Sequence, residues 1–129
     1  MPSPLLESLR GALAGRPDVA LAVVFGSVAR GCERADSDVD LAVIAPGVDT
    51  LDLAAALSLA LAREIDVVDL AEPGYPLLKS IVRDGIVVHE GHRGAGAQWR
   101  SRAIASLETD RPWFERMRDA YLATLSAGR

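Results

Sequence analysis

The sequence predicts an α/β (α+β) fold, in which a mixed β-sheet is flanked by helices and followed by a C-terminal helical tail. Short apolar runs rich in β-branched residues alternate with segments of helical periodicity, which is typical of strands and helices stacked in layers. The 129 residues are 50% hydrophobic and 25% charged, as in ordinary globular proteins. We therefore expect one domain over residues 1–129, with a core over about 3–90 and the tail over about 97–126.

Charge and cysteine content exclude several classes of protein. The formal net charge of −4 argues against a surface devoted to nucleic acid, so no direct nucleic-acid contact is expected. A single cysteine, Cys32, excludes an internal disulfide and a cysteine-based zinc site. No uncharged stretch approaches the roughly 18 residues of a membrane span, and the N-terminus lacks the apolar run of a signal peptide. We expect a cytoplasmic protein that does not contact membranes.

The first half of the chain predicts one helix and two strands. Pro4 suits a first helical turn and leucines follow it at helical spacing, until Gly15–Asp18 breaks the pattern. Val19–Phe25 is a continuous apolar run, which favours a buried strand. A polar loop over residues 31–37 precedes a second strand, Asp38–Ala45, that ends at a Pro-Gly pair.

The next segment predicts two more helices and two more strands. Asp49–Thr50 is suited to cap a helix over Leu51 to about Arg63. Glu64–Leu70 is a third apolar run and predicts a strand. Tyr75–Arg83 predicts a short helix and Ile86–His89 a fourth strand.

The C-terminal tail differs in composition from the core. Gly91–Gly96 predicts a glycine-rich hinge, and Pro112 predicts a break or a fresh start within the helical pattern. Six of the thirteen arginines lie between Arg93 and Arg118. The tail also holds three aromatic residues, namely Trp99, Trp113 and Phe114. One interpretation is a helix packed on the sheet with a solvated basic face, and the other is a docking surface for a partner.

Three acidic residues lie where strands should be apolar. Asp38 and Asp40 are two positions apart, so in a strand both side chains point to one face. Such carboxylates repel each other unless one is protonated or a cation lies between them, and Mg²⁺ is the natural counterion. Asp66 lies between Ile65 and Val67, where we expect a central strand and a costly burial unless the acid is paired or metal-bound. Together the three would form a two-metal site for phosphoryl-type transfer, whereas the first pair alone could equally be two solvated acids at a strand entry.

Gly26, Ser27 and Arg30 form a candidate phosphate site at the end of the first strand. A glycine at a strand-to-helix turn lets the backbone approach a phosphate closely. The Ser27 hydroxyl can donate a hydrogen bond, and the Arg30 guanidinium matches phosphate oxygens. Such a turn is a weak signal alone, but the acidic pair on the next strand places a metal site beside it.

These motifs resemble a known family. GSVARG at residues 26–31, SDVDL at 37–41 and IDVVDL at 65–70 occur in the order found in minimal nucleotidyltransferases of the DNA polymerase β-like superfamily. The resemblance extends from Val19 to about His89. It implies the nucleotidyltransferase fold and a metal-dependent transfer enzyme that uses ATP as substrate and Mg²⁺, with two ions expected.

The resemblance also implies a role for each site residue. Asp38 and Asp40 would be paired metal ligands, and Asp66 would be a third ligand that also activates the acceptor hydroxyl. Gly26–Ser27 would bind the triphosphate, and Arg30 would brace the phosphates or the active-site loop. All of these motif positions are retained, so we expect an active enzyme.

The resemblance further suggests a partner. Larger members carry domains that bind the acceptor, whereas this chain has room for the core and one helical tail. The chain is similar to the antitoxin half of HEPN–nucleotidyltransferase toxin–antitoxin pairs, which transfer AMP from ATP to a tyrosine of the HEPN ribonuclease toxin. A protein adenylyltransferase antitoxin is therefore the expected function. The alternatives are a non-catalytic antitoxin that acts by occlusion and a nucleotidyltransferase for a small molecule, while the acidic balance counts against RNA as acceptor.

Overall fold

A computed structural model describes residues 3–31 and 38–127 of the chain. The polar loop predicted over residues 31–37 lies outside these ranges from Cys32 onward. Within them, strands and helices alternate along the chain, as the sequence predicts. The elements are α1 (Pro4–Ala14), β1 (Leu21–Phe25), α2 (Gly26–Ala29), β2 (Val39–Ile44), α3 (Thr50–Leu61), β3 (Ile65–Asp69), α4 (Tyr75–Asp84), β4 (Ile86–Glu90) and α5 (Ala95–Ala127).

The four strands form a mixed sheet in the order β3-β2-β1-β4. β1 runs antiparallel to both β2 and β4, whereas β2 and β3 are parallel. All five residues of β1 are buried, because this strand has neighbours on both sides and helices on both faces. The predicted mixed sheet flanked by helices is confirmed.

Each face of the sheet has its own apolar core. Helices α1 and α3 cover one face, and α4 and the first turns of α5 cover the other. The side chains of each strand alternate between the two cores, since successive side chains point to opposite faces of the sheet. The first core includes Leu9, Leu13, Val24, Leu41, Val43, Leu53 and Leu57. The second includes Leu21, Val23, Phe25, Ala42, Ile81 and Ala95, with Trp99 packed against it.

The predicted cap of α3 is confirmed. Asp49 is the residue before the helix, and its Oδ1 accepts hydrogen bonds from the N–H groups of Leu51 at 2.8 Å and Asp52 at 3.3 Å. These bonds satisfy donors that have no partner within the helix. The helix ends at Leu61, where Ala62 adopts a positive φ of 53°.

The expectation that Asp66 lies buried in a central strand is wrong. β3 is an edge strand of the sheet, and the Asp66 side chain is exposed. Local sequence cannot distinguish a central strand from an edge strand at this point. Ile65 and Val67 point to the core beneath the sheet and Asp66 points away from it, and this alternation is the same in both kinds of strand. Exposure removes the desolvation cost that a buried acid would carry.

The tail also differs from its prediction at two points. α5 begins at Ala95, inside the predicted hinge, and runs through Pro112 as one helix of 33 residues. The Glu90 Oε2 atom accepts the Gly96 N–H at 2.7 Å, which supports this early start. Proline removes one helical hydrogen bond, but residues 108–112 are exposed, so water can reach the freed carbonyl. Within the two described ranges, no helix is both long and apolar enough to cross a bilayer.

Candidate active site

The turn at Gly26 packs directly against Asp40. β1 ends at Phe25, and Gly26 opens α2 with φ +74°, a conformation that favours glycine. Phe25 is the register partner of Asp40 on the antiparallel neighbour β2, so the turn that follows comes alongside the Asp40 carboxylate. A Cβ atom on residue 26 would collide with Asp40 Oδ2. The predicted phosphate turn and the predicted metal ligand therefore form one site.

Asp40 and Asp66 are direct neighbours across the parallel β2–β3 pair. The sheet register places Asp40 opposite Asp66, and both side chains point to the face covered by α4 and α5. Asp38 immediately precedes β2 and is exposed, whereas Asp40 is half-buried. The structure thus places Asp38 and Asp66 within electrostatic range of Asp40, at the end of the sheet where β1 turns into α2.

The electrostatics of this site centre on Asp40. Burial raises the pKa of the Asp40 carboxyl, and the neighbouring carboxylates of Asp66 and Asp38 raise it further. The Arg30 guanidinium acts in the opposite direction and lowers this pKa. A half-buried carboxyl group whose pKa is raised by neighbouring carboxylates is a feature of sites that bind cations. Ion-pair networks with a purely structural role can shift pKa values as well.

The carboxylates suit Mg²⁺ in kind but are not gathered around one point. Carboxylate oxygens are the ligands that Mg²⁺ prefers, and a cation would relieve the repulsion that raises the Asp40 pKa. Across residues 3–31 and 38–127, however, no three His, Cys, Asp or Glu side chains converge into a group that could hold a metal ion. Asp38, Asp40 and Asp66 are the residues that would hold a cation at this end of the sheet.

Arg30 is linked to α4 through an acid that the sequence analysis missed. Arg30 Nη1 lies 3.9 Å from Asp84 Oδ2. The same Oδ2 atom accepts hydrogen bonds from Arg83 Nε at 3.1 Å and Arg83 Nη2 at 3.0 Å. Asp84 is the last residue of α4, where the helix dipole disfavours an acid, and this unfavourable position was the available sequence signal. The link connects the phosphate turn to α4.

Comparison with known proteins supports the assignment of this fold. The family model described as polymerase beta, nucleotidyltransferase matches residues 7–93. The protein adenylyltransferase MntA of Shewanella oneidensis is 37% identical over 75 residues, which are 54% of this chain and 52% of that relative. The chain thus spans about half the length of the relative that it matches.

Solved structures of toxin–antitoxin complexes have the same fold. A crystal structure of a toxin–antitoxin with AMP-PNP matches with a TM-score of 0.76 and 23% identity, over 91% of this chain and 98% of that one. The structure of the tri-AMPylated Shewanella oneidensis HEPN toxin in complex with the MNT antitoxin matches with a TM-score of 0.66 and 22% identity, over 92% of each chain. On the family match over residues 7–93, the chain belongs to the polymerase beta nucleotidyltransferase family.

Proposed function

We propose that this protein is an antitoxin that transfers AMP from Mg-ATP to a hydroxyl group, expected to be that of a tyrosine, of a partner HEPN ribonuclease. The observation that carries the proposal is the packing of the Gly26 turn against Asp40, with Asp66 opposite Asp40 in the sheet. This geometry sets an anion-binding turn beside clustered carboxylates, as a nucleoside triphosphate with its metal requires. The similarity to a protein adenylyltransferase supports AMP as the group transferred.

Different residues of the chain bind the substrate and accept the proton in this reaction. Gly26 and Ser27 bind the triphosphate. The Arg30 guanidinium, at the end of the same turn, offsets part of the negative charge of the phosphates. The acceptor oxygen attacks the α-phosphorus of ATP, a new O–P bond forms, and the bond to the pyrophosphate oxygen breaks. Asp66 accepts the hydroxyl proton, a role for which its exposed position on an edge strand is suited because the acceptor must reach it from outside.

Mg²⁺ is part of the proposal. Asp38, Asp40 and Asp66 would hold it, with two ions expected from the number of carboxylates. When bound, the cations would neutralise charge on the phosphates and on the attacking and leaving oxygens. The positions of these three carboxylates would determine where the cations bind.

We also propose one domain and a cytoplasmic location. Trp99 of α5 packs against the same core as β1 and α4, which joins the tail to the sheet. ATP and the RNA substrates of a ribonuclease are found in the cytoplasm. Limited proteolysis tests the first point, because one domain predicts no stable fragment that ends between β4 and α5.

Intact-mass spectrometry of the partner tests the function. The chain is purified with the HEPN ribonuclease that co-elutes from its host, and ATP and Mg²⁺ are added. We expect the partner mass to rise by one or more AMP units with the wild-type chain and not with the Asp38→Asn/Asp40→Asn variant. Asp69→Asn is the matched control, since this exposed acid of β3 bonds the Ala71 N–H at 2.8 Å and asparagine can keep that bond.

The outcomes separate the alternatives. An unchanged partner mass in a stable complex would overturn AMP transfer and favour the antitoxin that acts by occlusion. If the double variant protected cells from the toxin as well as the wild type does, neutralisation would not need AMP transfer and would be assigned to occlusion. AMP found on a small molecule instead of the protein would favour the remaining alternative.

A further inference from the structure

The outward face of α3 is apolar and uncovered. On the inward side, Leu53 and Leu57 are buried in the core that α1 and α3 share. On the outward side, Leu51 and Leu59 are 78% and 86% exposed, the two highest values for large apolar side chains in the described part of the chain. Residues 53–62 carry no charge. A helix that is apolar on nearly all sides is normally buried, so the exposure of this face indicates a surface that another molecule covers.

Leu51, Ala55 and Leu59 form one ridge, called the α3 ridge below. Ala55 is exposed, and at 3.6 residues per turn it points about 160° away from both Leu53 and Leu57. Leu51 and Leu59 lie about 40° to either side of Ala55, about 6 Å before it and about 6 Å after it along the helix axis. The ridge therefore has a small side chain at its middle and a large apolar one at each end.

The order of residue types in α3 is nearly symmetric about Ala55. Residues 51–59 read LDLAAALSL, which is the same in both directions except that Asp52 corresponds to Ser58. When two identical helices pack antiparallel around a twofold axis at Ala55, a residue before Ala55 lies level with the residue equally far after it in the second copy. The ridge is therefore self-complementary, which favours a second copy of the chain as its occupant.

The shape of the ridge allows two copies to approach closely. The two Ala55 side chains lie at the crossing point, where small residues permit a short distance between the helix axes. Because Leu51 and Leu59 project to opposite sides of Ala55, Leu51 of one copy lies beside Leu59 of the other. Four leucine side chains thus leave water together, and this burial favours the association.

The charge distribution around the ridge also favours a second copy. Asp52 is the only charged residue of Thr50–Leu61, and it lies about 60° from the direction of Ala55, at the rim of the ridge. Asp52 can therefore stay hydrated in the pair, and no charge is buried. An interface with a different protein gains specificity from complementary charges, and the ridge offers none at its centre.

Helix α3 and the active site lie on opposite faces of the sheet. The side chains of Asp40 and Asp66 point to the face covered by α4 and α5, whereas Leu53 and Leu57 pack in the other core. A contact at the α3 ridge therefore leaves the carboxylates uncovered. Pairing through α3 is thus independent of the proposed function.

We infer that two copies of this chain pair through their α3 helices, antiparallel around a twofold axis between the two Ala55 residues. Helix α3 has 12 residues and is about 18 Å long, so this interface belongs to the small class of less than about 1,200 Å² in total. Interfaces of this size are weak, and we expect a Kd on the order of 10–100 µM. The pair therefore forms only when the chain is concentrated.

Sedimentation equilibrium of the full chain tests the pairing. Between about 1 µM and about 500 µM, which spans the expected Kd, the wild-type mass should rise from 13.7 kDa toward twice that value. Ala55→Lys places a charge at the axis in each copy and should keep the chain monomeric throughout. Ala60→Lys is the matched control and should pair like the wild type, because this exposed residue lies about 140° around the helix from Ala55. Lysine is a good helix former, and far-UV circular dichroism checks that both variants keep the wild-type helix content.

Cysteine cross-linking tests the geometry of the pair. In a Cys32→Ser background, Ala55→Cys should form a disulfide-linked dimer on mild oxidation, because the two Cβ atoms meet at the axis. Ala60→Cys, on another side of the same helix, should cross-link far less.

Two results would overturn the inference. One is a wild-type mass that stays at 13.7 kDa at every concentration. A loss of HEPN-ribonuclease binding by Ala55→Lys and not by Ala60→Lys would then assign the ridge to a different protein. The other result is equal behaviour of the Ala55 and Ala60 variants in either experiment, since the contact would then not be centred on Ala55. Failure of AMP transfer is a separate observation that leaves these measurements unaffected.

Discussion

A Cβ atom on Gly26 would overlap the position occupied by Asp40 Oδ2. The phosphate turn after β1 and the acid on β2 are therefore packed together with no room between them. The positive φ of Gly26, +74°, adds a conformational requirement at the same residue. Glycine at this position thus serves both the backbone turn and the placement of the carboxylate.

Replacing Gly26 with alanine should abolish most AMP transfer. The left-handed conformation costs a non-glycine residue about 1–2 kcal/mol, and the new methyl group must displace Asp40. We expect the transfer rate to fall by on the order of 10²-fold or more, since the displaced acid is a proposed metal ligand. Gly47→Ala is the control, because Gly47 has φ +78° with no atom within 4 Å of the added Cβ. An equal loss of activity in both variants would show that the collision with Asp40 is unimportant.

Replacing Asp40 with asparagine should stabilise the metal-free protein at neutral pH. The pKa of Asp40 is raised in the folded state, so the native protein binds a proton more tightly than the unfolded chain does. Ionisation of the Asp40 carboxyl therefore lowers the free energy of unfolding as the pH rises from the ordinary carboxyl pKa, about 3.9, through the raised pKa. We expect the Tm of Asp40→Asn to exceed the wild-type Tm by a few degrees at pH 7, and the difference to vanish at low pH.

Thermal unfolding in a chelator measures this effect. Asp69→Asn should leave the Tm within error of the wild type at both pH values, because this exposed acid lies at the far end of β3. A lower Tm for Asp40→Asn at pH 7 would contradict the electrostatic account of the site.

Asp84 is expected to position Arg30. The Asp84 side chain is 17% exposed and lies 3.9 Å from the Arg30 guanidinium. Because a partly exposed ion pair is worth less than about 1 kcal/mol, Asp84→Asn should raise the KM for ATP roughly threefold and leave the maximal rate unchanged. Initial rates over a range of ATP concentrations measure both quantities. Asp18→Asn, which removes an exposed pair with Arg16 away from the site, should change neither, and a lowered maximal rate for Asp84→Asn would assign it another role.

Replacing Pro112 with alanine should stabilise α5. The helix runs through this exposed proline, which removes one backbone hydrogen bond and strains the preceding turn. We expect a gain of up to about 3 kcal/mol in the free energy of unfolding, with unchanged AMP transfer, measured by urea unfolding. Ser101→Ala, at another exposed position of α5, should give less than about 1 kcal/mol. A loss of stability in Pro112→Ala would show that the helix needs the proline at this point.

Much of the fold could be predicted from local patterns. The apolar runs predicted all four strands, and the Asp49 cap gave the start of α3 to within one residue. Gly26, Asp38, Asp40 and Asp66 were identified as a set because acids in apolar strands and a glycine at a strand end are unusual locally. The structure groups them at one end of the sheet, and their roles in transfer remain the proposal tested above.

Other features depend on which elements meet, and the sequence alone could not supply them. Strand order makes β3 an edge and exposes Asp66, since pairing is set by the burial of whole faces and not by the residues beside the acid. The close approach of Gly26 to Asp40 and the pairing of Asp84 with Arg30 join segments distant in sequence. The sequence by itself determined which residues have side chains that can bind a metal or a phosphate, because periodicity and residue type are local. The tertiary structure decided which of them share a site and which face of α3 is left uncovered, because packing is non-local.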